Sequence, residues 1–144
     1  MASETEIMQS FYDHVPILED KDFGADNKLE LKDTENILKG VPKRRVVVMI
    51  YADWCPHCVH TKPKAVEAVK TLLASKDPAD SDILIAAIPL AGDDVDDKLK
   101  TRVQSIFPKW SGGIPYIGLI KDGVPVKELE GDRSAQNILA LARS

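Results

Sequence analysis

The stretch RVVVMIYADWCPHC, residues 45–58, constrains the fold more than any other part of this 144-residue chain. Arg45 to Tyr51 is β-branched and apolar on both alternating faces, the pattern of a central strand covered by helices on both sides. Pro56 then sits where a helix would begin, and proline suits a helix's first turn because it has no N–H to leave orphaned there. Val59, Val66, Val69, Leu72 and Leu73 recur at helical spacing, so a long helix is expected to about Ser75. Pro63 falls inside it and is expected to kink it rather than end it, because the periodicity continues beyond. Both cysteines of the chain, Cys55 and Cys58, therefore lie where a buried strand turns into a helix.

The remaining segments extend this alternation. Residues 1–27 form a polar, acidic leader with scattered apolar residues, among them Ile7, Phe11, Tyr12, Ile17 and Leu18, that can pack on a domain. Lys28 to Lys32 reads as a short strand, and Asp33 or Thr34 can cap a short helix over Glu35 to Lys39 that Gly40 stops. Lys43, Arg44 and Arg45 guard the sticky strand that follows. Ile83 to Leu90 is a second buried strand. Asp93, Asp94, Asp96 and Asp97 open a helix with Val95, Leu99, Val103 and Ile106 on one face, where acids complement the dipole; no EF-hand spacing is present. Ile114 to Ile120 and Val124 to Glu130 flank Asp122-Gly123, a hairpin signal, and Pro125 sends the second of these strands to a sheet edge. Ser134 can cap a last helix burying Ile138, Leu139 and Leu141. Alternating strands and helices of this kind make an α/β protein with helices on both faces of a mixed sheet.

Charge and cysteine count exclude several classes. Lysine and arginine total 19 against 23 acidic residues, a net charge of −4, so nucleic-acid binding through bulk electrostatics is not expected. The apolar run Val46 to Ala52 is far short of a membrane span. The start shows no positive segment followed by an apolar run, so no secretory signal is read and a cytoplasmic location is expected. Two cysteines cannot form a disulfide framework.

The pair itself supports three readings. In the first, Cys55 lies at a helix N-terminus, where free amide N–H groups favour thiolate, and Cys58 lies one turn deeper and less exposed. That asymmetry suits thiol–disulfide exchange, with Cys55 meeting the substrate and Cys58 resolving the mixed disulfide. In the second, two buried cysteines are simply neighbours. In the third they are half of a zinc site, but a closed site usually draws its second pair of ligands from a distant segment, and beyond the neighbouring His57 and His60 only His14 remains. No metal or other cofactor is assigned.

At these residues the chain resembles the thioredoxin superfamily. VVVMIYADWCPHC is similar to the family's strand and active-site turn, Pro63 falls where members carry the helix-kinking proline, and Gly112 to Pro115 resembles the loop whose proline is cis. LIKDGVPVKELEG is similar to the closing hairpin. The resemblance runs from about Lys28 to Arg143. It implies a thioredoxin fold, a central mixed β-sheet flanked by helices on both faces, over 28–144, with 1–27 as an extension. It implies a redox-active Cys55–Cys58 disulfide with Cys55 as exposed nucleophile, and a substrate groove made by Trp54, Ile114 and Pro115. The Ile114 backbone would pair with an extended substrate segment. Expected partners are proteins carrying disulfides or dithiols and a thioredoxin-reductase-like or oxidase partner, with the chain itself a monomer. The alternative is a thioredoxin-fold binding module whose cysteines are not catalytic.

Two departures bear on chemistry. Pro56-His57 stands between the cysteines where thioredoxin has Gly-Pro, a dipeptide that resembles the bacterial oxidase DsbA; an imidazole beside Cys55 stabilises the reduced form and makes the couple more oxidising. The family's buried strand acid, six positions before the first cysteine, is replaced by Met49. Asp53 is expected exposed at the rim, which leaves water, His57 or the substrate to take the proton of Cys58.

Overall fold

The computed structural model of the chain describes residues 11–30, 44–92 and 95–144. Among them run strands β1 (Arg45–Tyr51), β2 (Ile83–Pro89), β3 (Tyr116–Lys121) and β4 (Val124–Glu128), and helices α1 (Pro56–Ala74), α2 (Asp97–Ile106) and α3 (Ala135–Ala142). The strand order is β2-β1-β3-β4. β1 pairs in parallel with β2, from Arg45↔Ile83 to Tyr51↔Pro89, and antiparallel with β3, from Arg45↔Lys121 to Ile50↔Tyr116. A strand with partners on both edges and helices on both faces can expose no side chain, which is why its sequence is a continuous apolar run.

The pleat divides β1 between two cores. Val47, Met49 and Tyr51 face α1 and α3, together with Phe11 of the leader. Val46, Val48 and Ile50 face α2, together with Leu18 and Phe23. Among the described residues the fold is thus a mixed four-stranded sheet between helical layers. α1 passes through Pro63 without interruption. On α2 the buried face is Leu99, Val103 and Ile106, but Val95 lies before the helix, because Asp96 is the residue that caps it. Its Oδ1 accepts the N–H groups of Lys98 and Leu99 at 3.0 and 3.4 Å. Asp93 and Asp94 lie outside the described residues. Ser134 caps α3 through the Asn137 N–H at 3.1 Å.

At the hairpin, Asp122 and Gly123 both take positive φ, 52° and 89°, the type I′ geometry that matches strand twist. β4, with Pro125, is the edge, and a register shift lies between Leu119 and Ile120. The basic residues before β1 are ion-paired: Arg44 reaches Asp122 at 3.0 Å and Arg45 reaches Asp82 at 2.7 Å. Lys43 lies outside the described residues.

The leader is built into the domain. Pro16 O accepts the Ala87 N–H and Ala87 O accepts the Leu18 N–H, at 3.0 and 2.9 Å, so the segment crosses the free edge of β2. Phe11 and Val15 fall on one face of the sheet, Leu18 and Phe23 on the other, all nearly inaccessible. Covering a strand edge removes a template for pairing with other chains. Arg102 on α2 holds the segment's far end, donating to Asp20 Oδ1 and Asn27 Oδ1, both at 2.9 Å, and to the Gly24 carbonyl. Asp20 N–H also donates to Asp96 Oδ2 at 2.9 Å. Of the strand expected over 28–32, the described part is not in the sheet: Leu29 makes an isolated bridge to Phe23, and its N–H donates to Gly123 O at 3.0 Å. The helix expected over 35–39 and its stop at Gly40 lie outside the described residues.

Asp96 therefore both caps α2 and ties the leader down. The N–H groups of Asp20, Leu99 and Lys98, in that order of weight apart from burial, hold its carboxyl below the usual carboxylate range. Asp96→Ala should lower stability near neutral pH by roughly 1–2 kcal/mol, read by urea denaturation. A depressed folded-state pKa stabilises above the unfolded value of about 3.9 and loses that contribution as pH falls. The gap between variant and wild type should therefore begin to narrow as pH falls below about 4 and close only once the depressed folded-state value is passed.

Candidate active site

β1 ends at Tyr51 and α1 begins at Pro56, so the intervening turn must carry Trp54 and Cys55 at the end of the central strand. Cys55 is the N-cap of α1, extended at φ −84° and ψ 116°, with Pro56 in the first turn. In that position its sulfur meets the N–H groups the helix leaves unpaired. Cys55 Sγ accepts from the Cys58 N–H at 3.3 Å, and both cysteines are free thiols. The Cys55 thiol also points at the Ile114 carbonyl, 3.9 Å away across the fold. The peptide joining Ile114 to Pro115 is cis. The turn at 54–58 and the loop before β3, far apart in sequence, thus meet at the Cys55 sulfur.

The exposures correct one expectation. Cys55 is 4% exposed and Cys58 0%, so the pair is asymmetric in the expected direction, but Cys55 is not an exposed cysteine. It is tucked between its helix turn and Ile114. What stands in solvent is Trp54, 72% exposed, which offers an apolar face beside the pair. His57 is exposed on the first turn of α1, where its carbonyl accepts from Thr61 Oγ1 at 2.7 Å. Water screens an imidazole in that setting.

Cys58 is held as a thiol. Burial, then its hydrogen-bonded partner Cys55, push it up to about 12, against smaller opposing pulls from a backbone hydrogen bond with Ala52 and then from Lys62. Met49 lies in the same core cluster as the two cysteines and is 2% exposed, so β1 places no charge there.

Two residues that sequence reasoning passed over shape the site. Trp110, after α2, fixes the loop that carries Ile114: its Nε1 donates to Gly113 O at 2.8 Å, and Gln104 Nε2 donates to Trp110 O at 2.6 Å. The second is Lys62, whose side chain is 1% exposed and whose Nζ lies 3.3 Å from Asp53 Oδ1. Asp53 is accordingly a half-buried ion-pair partner rather than a free rim residue. It is also wedged against Gly92, where an added Cβ would come within 2.0 Å of Asp53 Oδ2. The signal for Lys62 was in the sequence: it stands four residues after Cys58, on the stripe of α1 that also buries Ala65 and Val66.

The Thioredoxin family model matches residues 28–144 of this arrangement. The chain belongs to the thioredoxin family. Among solved structures it is similar to the first thioredoxin domain of mouse protein disulfide-isomerase A4, 24% identical, covering 91% of this chain and 74% of that one, with a TM-score of 0.59. It is also similar to the zinc-bound form of human ERp44, 18% identical over 88% of this chain and 30% of that one, with a TM-score of 0.56. Mitochondrial thioredoxin 3 from Saccharomyces cerevisiae, in its oxidised form, is 14% identical over 93% of this chain and 97% of that one, with a TM-score of 0.54. No curated protein matches the chain. At these identities the structural likenesses carry the fold, and the chemistry rests on the residues themselves. Among the described residues no helix is long and apolar enough to cross a membrane, and no three potential metal ligands cluster.

The difference between the two cysteines is measurable. Iodoacetamide at about pH 8 should modify the reduced protein once, at Cys55, by mass spectrometry. Cys58 should be modified only on unfolding or as pH approaches about 12.

Proposed function

We propose that this protein is a thiol–disulfide oxidoreductase acting on protein cysteines through Cys55 and Cys58. The observation that carries the reading is the Cys55 sulfur at the N-cap of α1, accepting the Cys58 N–H at 3.3 Å. The cysteine that can resolve an adduct is thereby one helical turn from the cysteine that forms it.

In the reductive direction, Cys55 attacks one sulfur of a substrate disulfide. The other substrate sulfur leaves with the bonding pair and is protonated. Cys58 then loses its proton and attacks Cys55 Sγ, breaking the mixed disulfide and releasing the second substrate thiol. The substrate gains two electrons and two protons, and the enzyme is left with a Cys55–Cys58 disulfide. The oxidative direction is the reverse. An extended substrate segment lies along Ile114 and Pro115 by strand addition, with Trp54 against its side chains. Pro56 and His57 between the cysteines favour a couple more oxidising than a typical thioredoxin, with a reductase-like or oxidase protein completing the cycle.

Cys58→Ser separates this reading from that of a binding module. Incubated in reduced form with insulin, the variant should accumulate a covalent adduct through Cys55 that dithiothreitol releases, while Cys55→Ser forms none. Absence of an adduct would sink the enzymatic reading and leave a binding module.

A further inference from the structure

Lys62 is among the largest side chains of the protein that are fully buried. An ammonium withdrawn from water is costly unless it is compensated. Here the compensation is built from three separate elements. Asp53, in the turn after β1, supplies a carboxylate at 3.3 Å. Tyr51, at the end of β1, places its ring 4.7 Å from Nζ. The leader contributes Phe11 and Tyr12, with ring centroids at 5.3 and 5.7 Å. Rings around a cation hold it electrostatically without taking its charge, and they exclude the water that would screen it. Phe11 and Tyr51 of this cage belong to the core cluster that also holds Cys55, Cys58 and Met49, and Tyr12 packs against it.

We propose that Lys62 is a positioning residue for thiol–disulfide exchange: its ammonium steadies the Cys58 sulfur while that thiol gives up its proton and attacks Cys55, and the leader's Phe11 and Tyr12 hold it there. The inference deepens the exchange reaction proposed above and rests on it. Lys62 follows Cys58 by one turn on the same face of α1, so its field acts on that sulfur through a poorly screened interior. It pulls the Cys58 thiol down against the larger effect of burial. The ionisable groups facing the cage are Cys55, Asp53, Tyr51 and Tyr12, while β2, β3 and α3 pack apolar side chains into this cluster. His57 and His60 lie on exposed positions of α1. Methionine at position 49 and lysine at position 62 are then one arrangement, with the buried charge carried by the helix instead of the strand.

The step is read directly with dithiobis(nitrobenzoate), a small aromatic disulfide. Attack by Cys55 releases one thionitrobenzoate, and attack of Cys58 on the resulting mixed disulfide releases the second. Making a thiol ten times harder to ionise slows it by only about threefold at a pH below its pKa, because the more basic thiolate is the better nucleophile. Lys62→Met, which keeps an unbranched chain without the charge, should leave the first release unchanged. It should slow the second by about threefold or more near neutral pH and move its pH profile upward. A second phase like wild type, or one that Lys62→Arg, which keeps the charge, slows as much as Lys62→Met does, would overturn the inference, since a packing defect has no reason to follow the charge. If Lys62→Met does not fold, Asp53→Asn carries the test with the opposite sign. Without the competing carboxylate the second release should quicken, and a slowing or no change would overturn it. A wild-type protein lacking the first release would instead remove the exchange reaction itself, and this inference with it.

Discussion

The double pairing of β1 is the constraint from which the rest of the structure follows. Held parallel to β2 on one edge and antiparallel to β3 on the other, it cannot shift register without moving every apolar side chain to the wrong layer. Its last residue, Tyr51, therefore fixes where the turn starts and where α1 can begin. Pairing with β3 also fixes Ile114 and Pro115, which immediately precede that strand. The Cys55 sulfur meets the Ile114 carbonyl because one strand anchors both segments.

Beneath that junction the protein has an unusual distribution of charge. β1 is apolar throughout its buried length, and the cation of the layer comes from α1. A buried lysine needs a full set of partners, and part of that set is the leader, which reaches it only because it crosses the edge of β2 with Phe11 on the α1 side. The leader thus combines two structural tasks, covering an unpaired strand edge and closing the Lys62 cage. Its other end, gripped by Arg102 and Asp96, belongs to the α2 side.

Much of this was legible in the sequence. The run of β-branched residues, the proline after Cys55, the Asp-Gly turn and the serine before the last helix each state a local preference that the fold satisfies. What escaped was whatever depended on distant segments meeting. The burial of Cys55 comes from Ile114, some sixty residues away. Asp53 reads as a rim carboxylate until Lys62 and Gly92 enclose it. Lys62 itself was visible as a charge on an apolar stripe, but a lysine there reads equally well as a solvated neighbour, and nothing local announces a cage supplied by residues 11 and 12. The leader's apolar residues marked a capacity to pack; the free edge of β2 decided where.

The most direct test of the account is the reduction potential of the Cys55–Cys58 couple, measured by equilibration with glutathione buffers. The account predicts a single reversible two-electron transition between the values of about −270 mV for thioredoxin and about −120 mV for DsbA. Failure to form a reversible Cys55–Cys58 disulfide would contradict the proposed reaction, and a potential at or below about −270 mV would contradict the oxidising influence assigned to Pro56-His57.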